Sequence, residues 1–300
     1  MLNLARSITK DGSAFSVAID ATNIVSEMKK IHNTSAAVSI ALGRLTVAGS
    51  MMGALLKNDT GSLTLRIKGD GTAGNLIVVS NGKGFVKSYV DNPSAGIITS
   101  DCDKIDVKKV VGTNGMLSVI KNIGLKQPYN SQVPLISGEI GEDITNYYVT
   151  SEQIPTVCAL GVLLNEDSTV KCAGGFLIQL LPYADESVID VIENNVTNIK
   201  SVSKMLNDGM SAQEVSLKVL EGLTPNLLDE CEVKYKCDCD RTRTERLLMS
   251  LNAKEIEDMI NDGKPINVEC HFCNSKHTFE IDDLKSILAL KNEKGEQIKK

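Results

Sequence analysis

The sequence predicts an α+β protein in three parts: an N-terminal antiparallel sheet domain with packed helices (residues 1–182), an amphipathic helical linker (183–230) and a small C-terminal domain (231–300). Three patterns predict this order. The first part has short apolar runs separated by turn residues, which are typical of antiparallel strands. The second part has apolar residues at helical spacing. The third has few large apolar residues but contains two close pairs of cysteines.

Composition and charge exclude several classes of protein. With 42% apolar and 23% charged residues, the 300-residue chain has the composition of an ordinary globular protein with a sizeable core. Residues 185–230 carry nine acidic side chains against three lysines, a net charge of −6, and residues 231–300 carry fourteen acidic side chains against thirteen basic ones, a net charge of −1. Neither segment has the basic face of a nucleic-acid-binding protein, so we expect no nucleic-acid partner.

The first thirty residues mix charged side chains among the apolar ones, so they lack the apolar core and the cleavage site of a signal peptide. We therefore expect a cytoplasmic protein. Thiols stay reduced in that compartment, so clustered cysteines there are metal ligands or redox centres more often than structural disulfides.

The first part begins with a strand and two helices. Alternating apolar residues over 15–19 predict a half-buried strand, and apolar residues at helical spacing over 24–31 predict a short helix. A strongly apolar helix over 35–57 follows, with Ser35 as its N-cap. The charge of Arg44 at its centre argues against a membrane span, so we interpret it as a buried core helix and expect no membrane partner.

The remainder of the first part predicts an antiparallel meander. The dipeptide Asn81-Gly82 is typical of a two-residue hairpin turn. A helix that contains Tyr147 ends near Gln153, and Pro182 closes the domain. Strands are expected over residues 63–67, 76–79, 85–90, 108–111, 116–120, 157–164 and 175–181.

The linker is predicted to form two amphipathic helices over residues 184–222, separated by Asp208-Gly209. Such helices usually pack an apolar face on a neighbouring domain. The acidic excess of this segment lowers the stability of the packed form, since like charges repel. The sharper interpretation is a metastable segment that the C-terminal domain holds in place.

Two cysteine pairs near the end of the chain carry the clearest chemical signal. Thirty residues separate Cys237 and Cys239 from Cys270 and Cys273. Zn²⁺ prefers four soft ligands in tetrahedral geometry, and two close pairs are the usual way for a chain to supply them. The third part is therefore predicted to be a small C-terminal zinc-binding domain with one Zn²⁺ per chain, which needs its metal to fold.

Other side chains leave alternatives for this site. A Cys₃His site that uses His271 or His277 is the alternative ligand set. Cys231 is a spare thiol without an assigned role. The remaining thiols lie in apparent strands and are expected to be buried and inert: Cys102, Cys158 and Cys172.

The tail is expected to fold around these pairs in four elements. Asn252 and Glu255 form the sequence pattern of a capping box, and Asp282 is a candidate cap for the last helix. The predicted elements are a helix over 242–251, a helix from 253 to about 262, two strands around 266–268 and 277–281, and a helix over 283–290.

The cysteine spacing alone leaves several functions open. Zinc ribbons usually have two C-x₂-C pairs separated by about 15–20 residues, whereas the first pair here is C-x-C and the gap is longer. A zinc-ribbon nucleic-acid-binding protein is the alternative function, and the net charge of the tail counts against it. An oxidoreductase that uses Cys270 and Cys273 would place this pair near a βαβ pattern, not between two short strands. A purely structural zinc is the remaining interpretation.

A redox switch follows from the chemistry of metal-bound thiolates. They are deprotonated and therefore nucleophilic towards peroxide, so oxidation would remove the ligands. The tail would then lose most of its folding free energy, next to the acidic linker.

The chain resembles the redox-regulated heat-shock chaperone family known as the 33 kDa chaperonin. The tail matches in its C-x-C and C-x-x-C pairs, about thirty residues apart. Asp240 stands where the family often has Ser, and His277 stands where it often has an aromatic residue. Further matching motifs occur in the same order along the chain: His32 through Gly43-Arg44 to Leu56-Lys57, Ser137-Gly138-Glu139-Ile140, Glu142-Asp143, Tyr147-Tyr148, Ser151-Glu152-Gln153, Gly161-Val162, and Ala173-Gly174-Gly175 with Gln179 and Pro182.

The resemblance implies a function without an enzymatic reaction. Members of the family are ATP-independent holdases, which are inactive when reduced and zinc-bound. It implies Cys237, Cys239, Cys270 and Cys273 as zinc ligands, and oxidation would join Cys237 to Cys239 and Cys270 to Cys273 in disulfides. It also implies that zinc is then released, that the tail and linker unfold, that unfolding client proteins are bound, and that the active form is a homodimer.

Overall fold

The computed structural model describes residues 2–96, 106–182, 184–199 and 201–297. It confirms the α+β class, because helices pack on sheets whose named strands all pair antiparallel. The chain divides into two compact units, Met1–Lys236 and Cys237–Lys300. The three-part division at residues 182 and 230 stays a prediction.

The first unit contains two five-stranded sheets, which we name sheet A, in the order β10-β1-β2-β9-β8, and sheet B, in the order β5-β4-β3-β6-β7. The strands are β1 (Leu4–Thr9), β2 (Ala14–Asp20), β3 (Ser62–Gly69), β4 (Asn75–Asn81), β5 (Val86–Val90), β6 (Gly115–Asn122), β7 (Tyr129–Pro134), β8 (Thr156–Leu164), β9 (Val170–Leu180) and β10 (Pro225–Cys231). The helices are α1 (Thr22–His32), α2 (Ala36–Ala54), α3 (Val107–Val111), α4 (Ile140–Tyr147), a π-helical turn (Tyr148–Glu152), α5 (Glu186–Asn198), α6 (Val202–Asn207) and α7 (Ala212–Lys218).

Helix α2 packs against strands of both sheets and forms the centre of the main core. Ser35 is its N-cap, as predicted, and accepts a hydrogen bond from the Val38 N–H at 3.2 Å. A Cβ atom at Gly53 would lie 2.1 Å from Ser80 Oγ, so glycine lets β4 approach the helix closely. Helix α2 is long and apolar enough to cross a membrane by length and composition, but 83% of that window is buried inside the protein, as in the core helix of a globular domain.

Sheet A is covered on both faces, because side chains alternate along a strand. Val17 of β2 and Leu177 of β9 point into the main core with α2. Their neighbours Ala18, Phe176 and Ile178 point the other way and form a second core with α5, α6 and α7. The interpretation of β2 as half-buried is therefore incomplete, since the small residues of its second face lie beneath helices.

The linker region departs from the prediction of two helices, because its described residues form three. Ile199 has an extended backbone (φ −79°, ψ 111°), which ends α5, and the Ser201 side chain caps α6 by accepting from the Lys204 N–H at 3.1 Å. The region also includes strand β10, which pairs with β1 at the edge of sheet A. Both β1 and β10 lack the clear alternation that identifies a strand from sequence.

Two further predictions in the first unit are corrected. Residues 108–111 belong to helix α3 rather than to a strand, and Asp106 caps this helix by accepting from the Lys108 N–H at 3.1 Å. The loop from β4 to β5 is longer than a two-residue turn. Its Asn81 N–H donates to Phe85 O at 3.1 Å, and the Asn81 side chain accepts from two later backbone N–H groups.

The second unit contains α8 (Arg241–Leu248), α9 (Ala253–Asn261), β11 (Ile266–Glu269), β12 (Lys276–Phe279) and α10 (Ile281–Gln297). The capping box of Asn252 and Glu255 is confirmed. Asp282 lies inside the first turn of α10 rather than before it. The core of this unit is small and consists of Leu248, Ile256, Phe279, Leu284 and Ile287.

Candidate metal centre

The second cysteine pair lies on the connection between β11 and β12. The chain reverses there within a few residues, because Cys270 O accepts hydrogen bonds from the N–H groups of Cys273 (3.3 Å) and Asn274 (2.7 Å). Asn274 has a positive φ of 56°, and the Cys270 N–H donates to Ser275 O at 2.9 Å. This turn holds both cysteines of the pair at the end of the hairpin.

The first pair precedes helix α8, and the start of this helix fixes its position. Asp240 follows Cys239 directly and accepts from the Arg243 N–H at 2.6 Å, so it is the N-cap of α8. The Arg243 guanidinium also pairs with Asp238, which lies between the two cysteines. The helix cap and the first cysteine pair are therefore parts of one local structure.

The two pairs meet. The four sulfur atoms of Cys237, Cys239, Cys270 and Cys273 all lie within 4.8 Å of one another. Two contacts join the pairs: Cys237 Sγ lies 3.6 Å from Cys270 Sγ, and Cys239 Sγ lies 3.2 Å from Cys273 Sγ.

This geometry fits a single tetrahedral ion. With Zn–S bonds of about 2.3 Å, sulfur atoms at the corners of a tetrahedron are about 3.8 Å apart. The four cysteines could therefore hold one metal ion. Among the described residues, no histidine joins this cluster. His277 instead pairs with Val268 across the β11–β12 hairpin.

The thiols do not share one environment. Burial raises the pKa of the Cys237 thiol and raises that of Cys239 to about 11. Burial is the largest single effect on Cys273 and opposes its ionisation. Hydrogen bonds from the Ser275 hydroxyl, 2.9 Å from its sulfur, from the Ser275 N–H and from the neighbouring Cys239 and Cys237 thiols together outweigh burial and bring the pKa of Cys273 down to about 7. A bound divalent cation would remove these differences in protonation, because a thiol that coordinates such an ion is deprotonated.

Arg241 supports the site, and sequence reasoning missed it. Its guanidinium donates to Thr278 O and to Asp283 Oδ2, both at 2.6 Å, and lies 4.5 Å from the centre of the Phe279 ring. It thereby ties the start of α8 to β12 and α10. One signal was available, because a cation in the first turn of a helix opposes the macrodipole and so points to a tertiary role.

Three further thiols that the structure describes do not belong to the cluster. Cys172 is buried, as predicted, and its thiol donates to Ser203 O at 3.1 Å. Cys158 is half-buried rather than fully buried, although burial raises its pKa to about 12. Cys231 is half-buried on β10, and burial raises its pKa. Cys102 lies outside the described residues.

Replacing Asp240 by Ala is expected to destabilise α8 by about 1 kcal/mol, since the side chain that caps the helix is lost. Hydrogen exchange of the α8 amides in the reduced protein should speed up about fivefold. Asp240→Ser is the matched control, because serine also caps helices well. Equal exchange rates for the alanine variant and the parent protein would show that this cap does not stabilise the segment.

Comparisons with known proteins identify the family of the chain. The family model described as Hsp33 protein matches residues 3–280. The chain is 41% identical over 285 residues to a 33 kDa chaperonin of Clostridium botulinum (strain 657 / Type Ba4), covering 95% of this chain and 96% of the relative. It is 44% identical over 271 residues to a 33 kDa chaperonin of Lachnoclostridium phytofermentans, with 90% and 92% covered.

A solved structure extends the agreement to three dimensions. The crystal structure of the 33 kDa chaperonin (heat shock protein 33 homolog) from Thermotoga maritima superposes with a TM-score of 0.84 at 31% identity, covering 98% of this chain and all of that one. The family resemblance seen in the sequence is thus confirmed, and the chain belongs to the Hsp33 family of chaperones.

Proposed function

We propose that this chaperone is an ATP-independent holdase controlled by oxidation. In the proposed inactive form the protein is reduced, and Cys237, Cys239, Cys270 and Cys273 hold one Zn²⁺. The observation that carries the proposal is the convergence of four thiols within 4.8 Å in a unit whose core, among the side chains that the structure describes, contains five buried apolar residues with partly buried ones packed around them. Such a unit depends strongly on a bound ion for its stability.

The activating reaction is the oxidation of two dithiols. In each, a thiolate attacks peroxide to give a sulfenic acid, and the second thiol displaces water from it. Each disulfide forms from two thiols and one H₂O₂, and two molecules of water are released. By family resemblance the products join Cys237 to Cys239 and Cys270 to Cys273. Oxidation removes all four ligands, so the tail would lose the free energy that metal binding supplies.

The second core is the surface that activation would expose. Helices α5, α6 and α7 cover Phe176 and Ile178 on sheet A with their apolar faces. The covering segment lies within residues 185–230, whose net charge is −6, and many of its acidic side chains are exposed. Because like charges oppose packing, these helices are poised to detach when the tail unfolds.

Detachment would uncover apolar surface on both the sheet and the helices, and unfolding client proteins would bind there through their own exposed apolar side chains. We place this activity in the cytoplasm, where thiols stay reduced until oxidative stress. We also propose a homodimer as the active form, on the family resemblance alone.

The test compares the full chain before and after peroxide treatment at elevated temperature. We expect one Zn²⁺ to be released per chain, and aggregation of an unrelated unfolding protein to be suppressed only after oxidation. Mass analysis of tryptic fragments checks the pairing, because a disulfide between the pairs would link fragment 237–241 to fragment 255–276, whereas the proposed pairing would not. Zinc retention after oxidation, or equal chaperone activity in the reduced protein, would refute the proposal.

A further inference from the structure

Residues 232–236, which we name the strap, connect the edges of the two sheets. The strap follows β10, the edge strand of sheet A, and ends beside β5, the edge strand of sheet B. Two hydrogen bonds with the Asn3 side chain hold the start of the strap. The Val233 N–H donates to Asn3 Oδ1 at 2.8 Å, and the Asn3 amide donates to Val233 O at 3.1 Å. Val233 is only 3% exposed and belongs to the main core.

The strap occupies the outer edge of β5 as an added parallel segment. The Val86 N–H donates to Lys234 O at 3.0 Å, and the Lys236 N–H donates to Val86 O at 2.8 Å. The Tyr235 hydroxyl forms hydrogen bonds with both backbone groups of Ser88. It accepts from the Ser88 N–H and donates to Ser88 O, each at 3.1 Å. Four outward backbone groups of β5 are thus satisfied by the strap.

Side chains add chemical selectivity to this contact. The ammonium groups of Lys234 and Lys236 lie 5.1 and 5.6 Å from the centre of the Phe85 ring, within the range of cation–π attraction. His32 Nε2 lies 3.2 Å from the Tyr235 hydroxyl. The edge of β5 therefore binds an extended segment in which an aromatic hydroxyl is flanked by two cationic residues.

An edge strand with free backbone groups is a template for a further extended chain. While the strap is in place, it competes as part of the same molecule, at a local concentration of the order of millimolar or more. A segment from another protein gains access only when the strap leaves. Lys236 is bonded directly to Cys237, the first proposed metal ligand, so unfolding of the tail would remove the anchor at that end of the strap.

We propose that the edge of β5 is a binding site for extended segments of unfolded clients, with a preference for an aromatic residue between basic residues, and that the strap is its built-in occupant. The timing of release rests on the proposed redox function, whereas the site itself does not. This site is separate from the apolar face beneath α5, α6 and α7.

The test uses a fluorescein-labelled peptide with the sequence of residues 232–236, Glu-Val-Lys-Tyr-Lys, and the full-length protein. Fluorescence anisotropy should show at least about tenfold weaker binding to the reduced parent protein than to the reduced Tyr235→Ala variant, in which the strap is loosened. Tyr129→Ala is the matched control, because Tyr129 is a tyrosine on β7, the opposite edge of the same sheet, and it should leave binding weak.

Two further comparisons identify the edge itself. Adding Val86→Pro to Tyr235→Ala removes one outward N–H and should weaken binding at least about tenfold. Val86 also belongs to the main core, so protected α2 and β4 amides in hydrogen exchange must show that this core stays folded. A peptide of scrambled sequence and equal charge should bind weakly. Equal binding of the scrambled peptide, or no binding to Tyr235→Ala, would overturn the proposed site.

Measurements on the oxidised parent protein distinguish the existence of the site from its regulation by oxidation. Peptide binding to Tyr235→Ala and to the oxidised parent protein supports both the site and its release by oxidation. Binding to Tyr235→Ala without binding to the oxidised parent protein would support the site and refute its redox control.

Discussion

Replacing Cys270 by Ser is expected to abolish stoichiometric zinc binding and to unfold the tail without any oxidant. The substitution removes one of four sulfur atoms from the cluster and leaves Cys237 without its neighbour at 3.6 Å. Structural Zn²⁺ contributes roughly 10–16 kcal/mol of apparent binding free energy in small zinc domains. Burial of the apolar side chains in the small tail core must already offset the conformational entropy of about 1–2 kcal/mol per ordered residue, so it leaves no surplus to replace the metal.

Metal analysis of the reduced, purified variant and hydrogen exchange of the β11 and β12 amides measure the two parts of this prediction. Cys231→Ser is the matched control, since Cys231 is another half-buried thiol but lies outside the cluster. It should keep one Zn²⁺ and a protected tail. Unchanged metal content in Cys270→Ser would refute the proposed ligand set.

Replacing Val215 by Asp is expected to give a reduced, zinc-bound protein that already suppresses aggregation. Val215 is 1% exposed and packs from α7 into the second core, against β1 and β2. An unpaired carboxylate there costs several kcal/mol, because the group loses its hydration without gaining a partner. Lifting α7 away from the sheet relieves that cost and uncovers the proposed client surface.

Aggregation assays under reducing conditions, together with zinc content, measure this effect. Gln213→Asp makes the same change of charge on the same helix at a half-buried position and should stay inactive. Val215→Ala removes two methyl groups without adding charge and should give an intermediate activity. Protected α2 and β4 amides would show that the main core remains folded. A folded Val215→Asp protein that stays inactive would contradict the proposed role of the helical cover.

Much of the local structure could be predicted from the residues, because it depends on short-range patterns. The Ser35 cap and the Asn252 capping box could be predicted, since a capping side chain accepts a hydrogen bond from a backbone N–H two or three positions later in the chain. The apolar helix α2 was recognised as a core helix because the charge of Arg44 at its centre argues against a membrane span. Local patterns failed where they were ambiguous, as in α3, whose valines favour a strand while Asp106 caps a helix.

For the candidate site, too, local patterns in the sequence predicted some features, and contacts between distant residues decided others. Spacing selected four cysteines, and the structure brings those four together. The roles of Arg241 and Tyr235 could not be read from spacing, because their partners lie 37–42 and 147 positions away along the chain. Such contacts depend on the path of the whole polypeptide.

By itself, therefore, the sequence determined the α+β class, the core helix, the acidic amphipathic segment and the four thiols. Each of these features can be recognised from residue composition or from the spacing of residues close together in the chain. Only the tertiary structure decided that sheet A is buried on both faces, that β10 completes its edge and that the strap occupies β5. These features join residues far apart in the chain, and alanines and serines such as those of β2 become core only when another element is placed over them.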